Sequence, residues 1–204
     1  FDLSTFTKVE VAGPDALKVV QSVTTSNLDV KIGRVVYTLM LNKGGGIELD
    51  GTITRLAEDR FLVVTPTAAQ TKTLAMLRRA ARGHAAATFD ASAGLATIGI
   101  MGPNSRELLS RISPADFSTE NQPWGTAREI EVGNGSALCL RVSFVGELGY
   151  ELYPTSDMAV SVYDSVIAAG EDLGLRRAGY HALDSLRVEK GYRHLGHDIG
   201  PIDD

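Results

Sequence analysis

Disulfide chemistry is excluded at once, because the chain holds one cysteine in 204 residues and a single thiol cannot close an intramolecular bridge. That residue, Cys139, stands in the apolar run Ala137-Leu138-Cys139-Leu140 and reads as a small buried hydrophobe before a nucleophile. Such usage fits a reducing compartment and not secretion. Long apolar runs are lacking as well. None approaches the ~18 residues of a bilayer-spanning helix, and Phe1-Asp2-Leu3-Ser4 has neither the basic nor the apolar region of a signal peptide, so no membrane partner is expected. Positive charge is in deficit: a formal net charge of −5 has the wrong sign for a protein that draws its affinity from released phosphate counterions. No nucleic acid partner is expected either. Two common catalytic signatures are missing, since no Gly-x-Gly-x-x-Gly opens a helix after a strand and no Gly-x-Ser-x-Gly occurs.

What remains is an ordinary globular composition, 44% hydrophobic and 22% charged, able to bury a substantial core. Residues 7–11 alternate polar and apolar as a half-buried strand does, and Gly13-Pro14-Asp15 then opens an apolar-periodic helix over 16–23. Extended runs follow at 34–41, 51–56 and 60–64, read as an antiparallel meander, and a helix is predicted over 67–81. The same order then begins again: strand 96–100, the turn Gly102-Pro103-Asn104, helix 107–112, extended runs at 127–132, 137–144 and 150–153, helix 158–169. The two Gly-Pro turns stand 89 positions apart (102 − 13) and Pro66 and Pro154 stand 88 apart (154 − 66), which points to an internal duplication. The predicted fold class is α+β: two related lobes of antiparallel or mixed sheet with packed helices, residues 1–94 forming the first repeat unit and 95–204 the second with a closing helix over 180–191. A cleft between such lobes is a natural ligand site. The start at Phe1 and the patternless end Gly200-Pro201-Ile202-Asp203-Asp204 lead us to expect a piece of a longer chain.

Three segments could carry chemistry. In Asn42-Lys43-Gly44-Gly45-Gly46-Ile47-Glu48-Leu49-Asp50-Gly51-Thr52 the glycines permit close backbone approach and a carboxylate follows. A phosphate loop would have to run into a helix, whereas Thr52-Ile53-Thr54-Arg55-Leu56 is β-branched and alternating, so a hairpin rim is the better reading. Composition alone makes Asp50 a turn residue first and a catalytic carboxylate second. In Arg141-Val142-Ser143-Phe144-Val145-Gly146-Glu147-Leu148-Gly149-Tyr150-Glu151 two glycines interrupt a strand pattern, the mark of a bulge or of close ligand approach, with Glu147 and Glu151 read first as exposed strand-end carboxylates. Tyr192-Arg193-His194-Leu195-Gly196-His197-Asp198 offers imidazoles, but His-x-x-His in a glycine-containing coil does not fix ligand geometry, and no metal is expected.

In this order the three segments resemble the folate-binding domain of the aminomethyltransferase family, the glycine-cleavage T-protein family. Residues 42–50 are similar to its Asn-x-x-Gly-Gly stretch leading to an aspartate. Residues 141–151 are similar to its Arg-x-x-Tyr-x-Gly-Glu-x-Gly-x-Glu stretch, with Phe144 in place of Tyr. Asp184-Ser185-Leu186-Arg187-Val188-Glu189-Lys190-Gly191 with Gly196-His197-Asp198-Ile199 resembles the closing motif. The wording of residues 52–61 and 189–194, and Leu183 where glycine-cleavage members carry arginine, look more like the folate half of dimethylglycine or sarcosine dehydrogenases. The resemblance implies an enzyme that transfers one-carbon units onto tetrahydrofolate, from an N-methylated amine as 5,10-methylenetetrahydrofolate, or alternatively from a lipoyl carrier protein, or else a folate-binding module without turnover. It implies FAD only in a domain upstream of Phe1, and a final β-barrel domain that this chain lacks. By resemblance Asp50 is the catalytic carboxylate, Glu151 hydrogen-bonds the pterin's amino-pyrimidine edge, Phe144 stacks, and Thr52, two residues beyond Asp50 on the same strand face, lines the pocket.

Overall fold

In the computed structural model, which describes residues 1–203, the alternating start of the chain is strand β1 (Thr7–Ala12) and the periodic stretch after it is helix α1 (Ala16–Val23). The hairpin β2 (Val35–Leu41) and β3 (Ile47–Ala57) follows, then β4 (Arg60–Thr65), a 3-10 turn (Thr67–Ala69), α2 (Gln70–Ala80) and β5 (Ala87–Asp90). These strands form one antiparallel sheet in the order β2-β3-β4-β1-β5. Alternation gives it two unlike faces. Val9, Val11, Met40, Leu49, Ile53, Phe61 and Val63 meet Val19 and Val20 of α1 and Leu77 of α2 in one apolar cluster. Burying a side chain of this size contributes roughly 1.5–3 kcal/mol, so the helices are held by that face. Lys8, Asp50 and Thr54 occupy the other face and are also buried.

The second half repeats the plan with β6 (Ile98–Met101), α3 (Ser105–Ile112), β7 (Ala127–Val132), β8 (Gly135–Leu140), β9 (Gly149–Pro154), α4 (Ala159–Ala169) and α5 (Tyr180–Glu189). Its antiparallel sheet has the order β6-β9-β8-β7. Matching β1 to β6 and the meander β2-β3-β4 to β7-β8-β9 gives the same strand order in both sheets, and neither sheet closes into a barrel. Gly13 and Gly102, the paired turn glycines, share a φ of 129° and 132°, a region that favours glycine. Leu108, Leu109, Val162 and Val166 of the helices pack with Ile98, Ile100, Cys139, Tyr150 and Leu152 of the strands. Cys139 is fully buried, and desolvation pushes its thiol up to about 12, as suits an inert packing residue.

Two compact units result, one from Thr5–Ser92 with residues 193–203, the other from Phe1–Ser4 with Ala93–Tyr192. Three local readings are corrected. Strand β3 begins at Ile47, so Asp50 is a strand residue; its predecessors Ile47 and Leu49 bury their side chains, which a turn would not do. Strand β8 ends at Leu140, because Arg141 turns aside to donate to the Gln122 carbonyl at 2.6 Å. The short edge strand β5, largely exposed, has no apolar pattern to announce it.

The glycine run is a hairpin tip that meets the tail of the chain. Asn42 Oδ1 accepts the Gly44 and Gly46 N–H groups at 2.8 and 3.0 Å, and its amide donates to the Pro201 carbonyl at 3.2 Å. A Cβ on Gly46 would lie 1.9 Å from that carbonyl oxygen. Gly46→Ala is therefore expected to loosen residues 193–203 and to cost about 2 kcal/mol, seen as a lower urea midpoint and faster amide exchange in that segment. Unchanged exchange there would contradict the packing.

Candidate functional site

Each unit carries one buried carboxylate on the sheet face turned away from its own helices. In the first unit the alternation of β3 turns Leu49 and Ile53 to the core and leaves Asp50 and Thr52 on the opposite face. A Cβ on Gly51 would stand 2.3 Å from the Val64 carbonyl oxygen, so the strand at Asp50 lies close against β4. Asp50 is 7% exposed. Strand pairing sets Leu39 opposite Asp50 and Tyr37 opposite Thr52, so Tyr37 reaches Asp50 on the diagonal and its hydroxyl donates to Oδ2 at 3.0 Å. The other oxygen, Oδ1, is buried with no hydrogen-bond partner.

Burial pushes the Asp50 carboxyl above the ordinary aspartate range, and the Tyr37 hydrogen bond and the nearby His194 pull it partly back. Tyr37's phenol is pushed far up by desolvation and by the Asp50 charge, so it stays a donor at neutral pH. His194 arrives on the tail: Leu195 packs against the first unit's core, the His194 N–H donates to Asp198 Oδ2 at 2.8 Å, and the imidazoles of His194 and His197 stack with centroids 4.4 Å apart. Among the described residues no three His, Cys, Asp or Glu side chains gather as metal ligands.

In the second unit, Tyr150 and Leu152 of β9 enter the core, while Glu151 and Tyr153 share the opposite face. Glu151 lies between Gly99 of β6 and Leu140 of β8, at 7% exposure, and is not the exposed strand-end carboxylate that composition favours. Burial pushes its carboxyl up, and the Tyr153 hydroxyl, donating to Oε2 at 2.6 Å, opposes the shift. Glu147 is engaged otherwise, in an ion pair with Lys190 at 2.9 Å. Gly146, at φ 70°, leaves room for that lysine: a Cβ there would meet Lys190 Cγ at 2.3 Å. The Phe144 ring lies beside Tyr192 with centroids 6.3 Å apart. Buried Arg187 is held by Asp184 at 2.6 Å and by the Tyr192 carbonyl at 3.0 Å, which anchors the closing motif.

The first unit thus gathers Asp50 and Thr52 with Tyr37 and His194, and the second gathers Glu151 with Tyr153. Sequence reasoning passed over both tyrosines. Tyr153 was within reach as an i+2 neighbour on the same strand face, and Tyr37 needed only the hairpin register.

An unpartnered carboxylate oxygen costs about 1–3 kcal/mol or more in a packed interior, so Asp50 Oδ1 calls for an explanation beyond packing. Two antiparallel units of one plan, each with a buried carboxylate on the face away from its helices, describe the chain, and the family profile of the GCVT N-terminal domain matches residues 1–204. The chain belongs to that family. It is 67% identical, over all 204 residues, to 4-methylaminobutanoate oxidase (formaldehyde-forming) of Paenarthrobacter nicotinovorans, of which it covers 25%. It is 35% identical along its whole length to human mitochondrial sarcosine dehydrogenase, covering 24% of that protein. The chain therefore spans about a quarter of the length of these relatives. Among solved structures, the glycine cleavage system aminomethyltransferase T of Bartonella henselae superposes with a TM-score of 0.86 at 26% identity, over 99% of this chain and 53% of that one. The α+β fold expected from the sequence is the fold observed.

Both carboxyls titrate above their unfolded values, and the sign of the linkage follows. Below the unfolded pKa each is neutral in both states and costs nothing. As pH rises through the folded pKa the burial penalty appears and stability is lost. Asp50→Asn or Glu151→Gln is expected to weaken this loss, raising the urea midpoint at neutral pH relative to the parent while leaving it nearly unchanged below about pH 4. Denaturation curves across that range decide the matter, and a parallel pH dependence in variants and parent would contradict it.

Proposed function

We propose that this chain captures a one-carbon unit from an N-methylated amine onto tetrahydrofolate, giving 5,10-methylenetetrahydrofolate. The observation that carries the reading is Asp50, a buried carboxylate with one oxygen held by Tyr37 and the other without a donor. The residues fit the group: a reduced pterin offers N–H donors, and a carboxylate accepts them in adjacent pairs. Tetrahydrofolate supplies the nucleophilic nitrogens that take up the carbon. Asp50 orients the attacking nitrogen, accepts its proton and stabilises positive charge as it develops, work that a low-dielectric setting strengthens. Glu151 holds the amino-pyrimidine edge, Phe144 offers a ring for stacking, and Thr52 adds a hydroxyl on the Asp50 face.

The donor in this reading is an N-methylated amino acid oxidised to an iminium by a flavin in another domain. The 67% identity to an oxidase of 4-methylaminobutanoate makes that compound the first to test, with sarcosine and dimethylglycine next. A second reading keeps Asp50 and Glu151 but takes an aminomethyl group from a lipoyl carrier protein. The fold match to aminomethyltransferase T supports it, and the much higher identity to the oxidase favours the first. A folate-binding module without turnover has no use for a carboxylate at the reacting nitrogen. The compartment is the bacterial cytoplasm or the mitochondrial matrix, where reduced folates are available.

Asp50→Asn is expected to lower folate-dependent capture of the carbon about 10²-fold while the protein remains folded, read as 5,10-methylenetetrahydrofolate formed from 4-methylaminobutanoate and tetrahydrofolate by the full enzyme. Unchanged product formation in a folded variant would remove Asp50 from the chemistry.

A further inference from the structure

We propose that Tyr153 is a positioning residue for Glu151, its hydroxyl locking one carboxylate oxygen so that the ligand's donors meet an acceptor already fixed in one rotamer. The inference rests on the reading of Glu151 as the pterin acceptor and extends it to a side chain that does not itself touch the ligand.

The geometry is short and local. Tyr153 and Glu151 are two residues apart on β9, on the face turned away from α3 and α4, and the hydroxyl lies 2.6 Å from Oε2. That separation is typical of a hydroxyl donating to an ionised carboxylate. Tyr153 is 2% exposed, so water does not compete for the bond. Its phenol is pushed well above the usual tyrosine range by burial and by the Glu151 charge, which keeps the proton on the donor.

The rest of the unit offers Glu151 little else. Directly opposite stand Gly99 on β6 and Leu140 on β8, neither of which titrates. On β7, Glu129 and Glu131 pair with Leu138 and Ser136 and are exposed. Arg141, beyond the end of β8, is turned to the Gln122 carbonyl, and the Phe1 amino group donates to the Gly99 carbonyl at 2.8 Å. Asp2 pairs by backbone with Ile98. A carboxylate buried among apolar strands with one donor depends on that donor for its ionised form, because hydrogen bonds to the charged state oppose desolvation.

The test is calorimetric titration with tetrahydrofolate, under anaerobic conditions, across a range of pH. It uses the parent protein, Glu151→Gln, Tyr153→Phe and a variant with 3-fluorotyrosine at position 153, whose more acidic phenol is a stronger donor. Affinity in the parent is expected to fall on the acid side as Glu151 takes up a proton, and Glu151→Gln identifies that limb by abolishing it. Tyr153→Phe removes the donor, so the limb moves to higher pH and Kd measured on it rises about tenfold. The fluorinated tyrosine moves the limb the other way. Opposite displacements are not produced by a tyrosine that merely fills space. Should Tyr153→Phe fail to fold, the near-isosteric fluorotyrosine protein carries the test alone. If the limb stays put in the folded variants, positioning by Tyr153 is wrong and the folate reading stands. The series is repeated with Asp50→Asn throughout, which removes the other raised carboxyl, and a limb that survives Glu151→Gln on that background overturns both the acceptor role and this inference. Absence of tetrahydrofolate binding by the parent at every pH overturns the folate reading itself.

Discussion

A carboxylate taken out of water must find donors or lose its charge, and in this protein that constraint falls on Asp50 and Glu151. Each sits on the sheet face away from its unit's helices, with a single tyrosine hydroxyl in place of the several waters it would bind in the open. Desolvation outweighs the tyrosine in both, so both carboxyls titrate above their ordinary range. A fold gains no stability from such an arrangement: an amide or an apolar side chain at either position would be easier to bury. Packing alone therefore does not account for carboxylates at these two positions.

Around Asp50 the chain packs closely against itself. Gly51 lets β3 lie tight against the Val64 carbonyl immediately after Asp50, and the tail is pressed to the hairpin tip by Asn42 and by the space that Gly46 leaves for Pro201. Glycines that in sequence invite a ligand-binding interpretation thus serve close approach of the chain to itself. Their functional consequence is indirect. The tail that they admit carries His194, whose charge favours the ionised form of Asp50.

Much of the fold was legible because its elements obey simple periods. Helix α1 and strand β7 fall on the predicted residues, and the duplication marked by Gly13 and Gly102 reappears as matching φ angles and matching strand order. What was not legible depended on long-range contacts. Asp50 has the composition of a turn, and only the burial of Ile47 and Leu49 against α1 and α2 makes it a strand residue. Strand β5 carries no apolar signal, since it is an edge strand paired to β1 by backbone alone along an exposed length. Nor does local sequence disclose that residues 193–203 group with Thr5–Ser92 while Phe1–Ser4 group with Ala93–Tyr192. The candidate carboxylates were found through resemblance, and the tyrosines that serve them emerge only from strand register.

The duplicated plan does not extend to the carboxylates. Asp50 lies on β3, the middle strand of the first meander, whereas Glu151 lies on β9, which corresponds to β4 of the first unit. The tyrosines differ in the same way: Tyr37 reaches Asp50 diagonally from a neighbouring strand, while Tyr153 serves Glu151 from its own. Two copies of one α+β unit therefore supply equivalent platforms, but the acceptors on them are inequivalent in strand and in the way a tyrosine reaches them. The difference shows in their bonding as well: Glu151 is held by a short bond from a tyrosine of its own strand, while Asp50 keeps one oxygen without a partner.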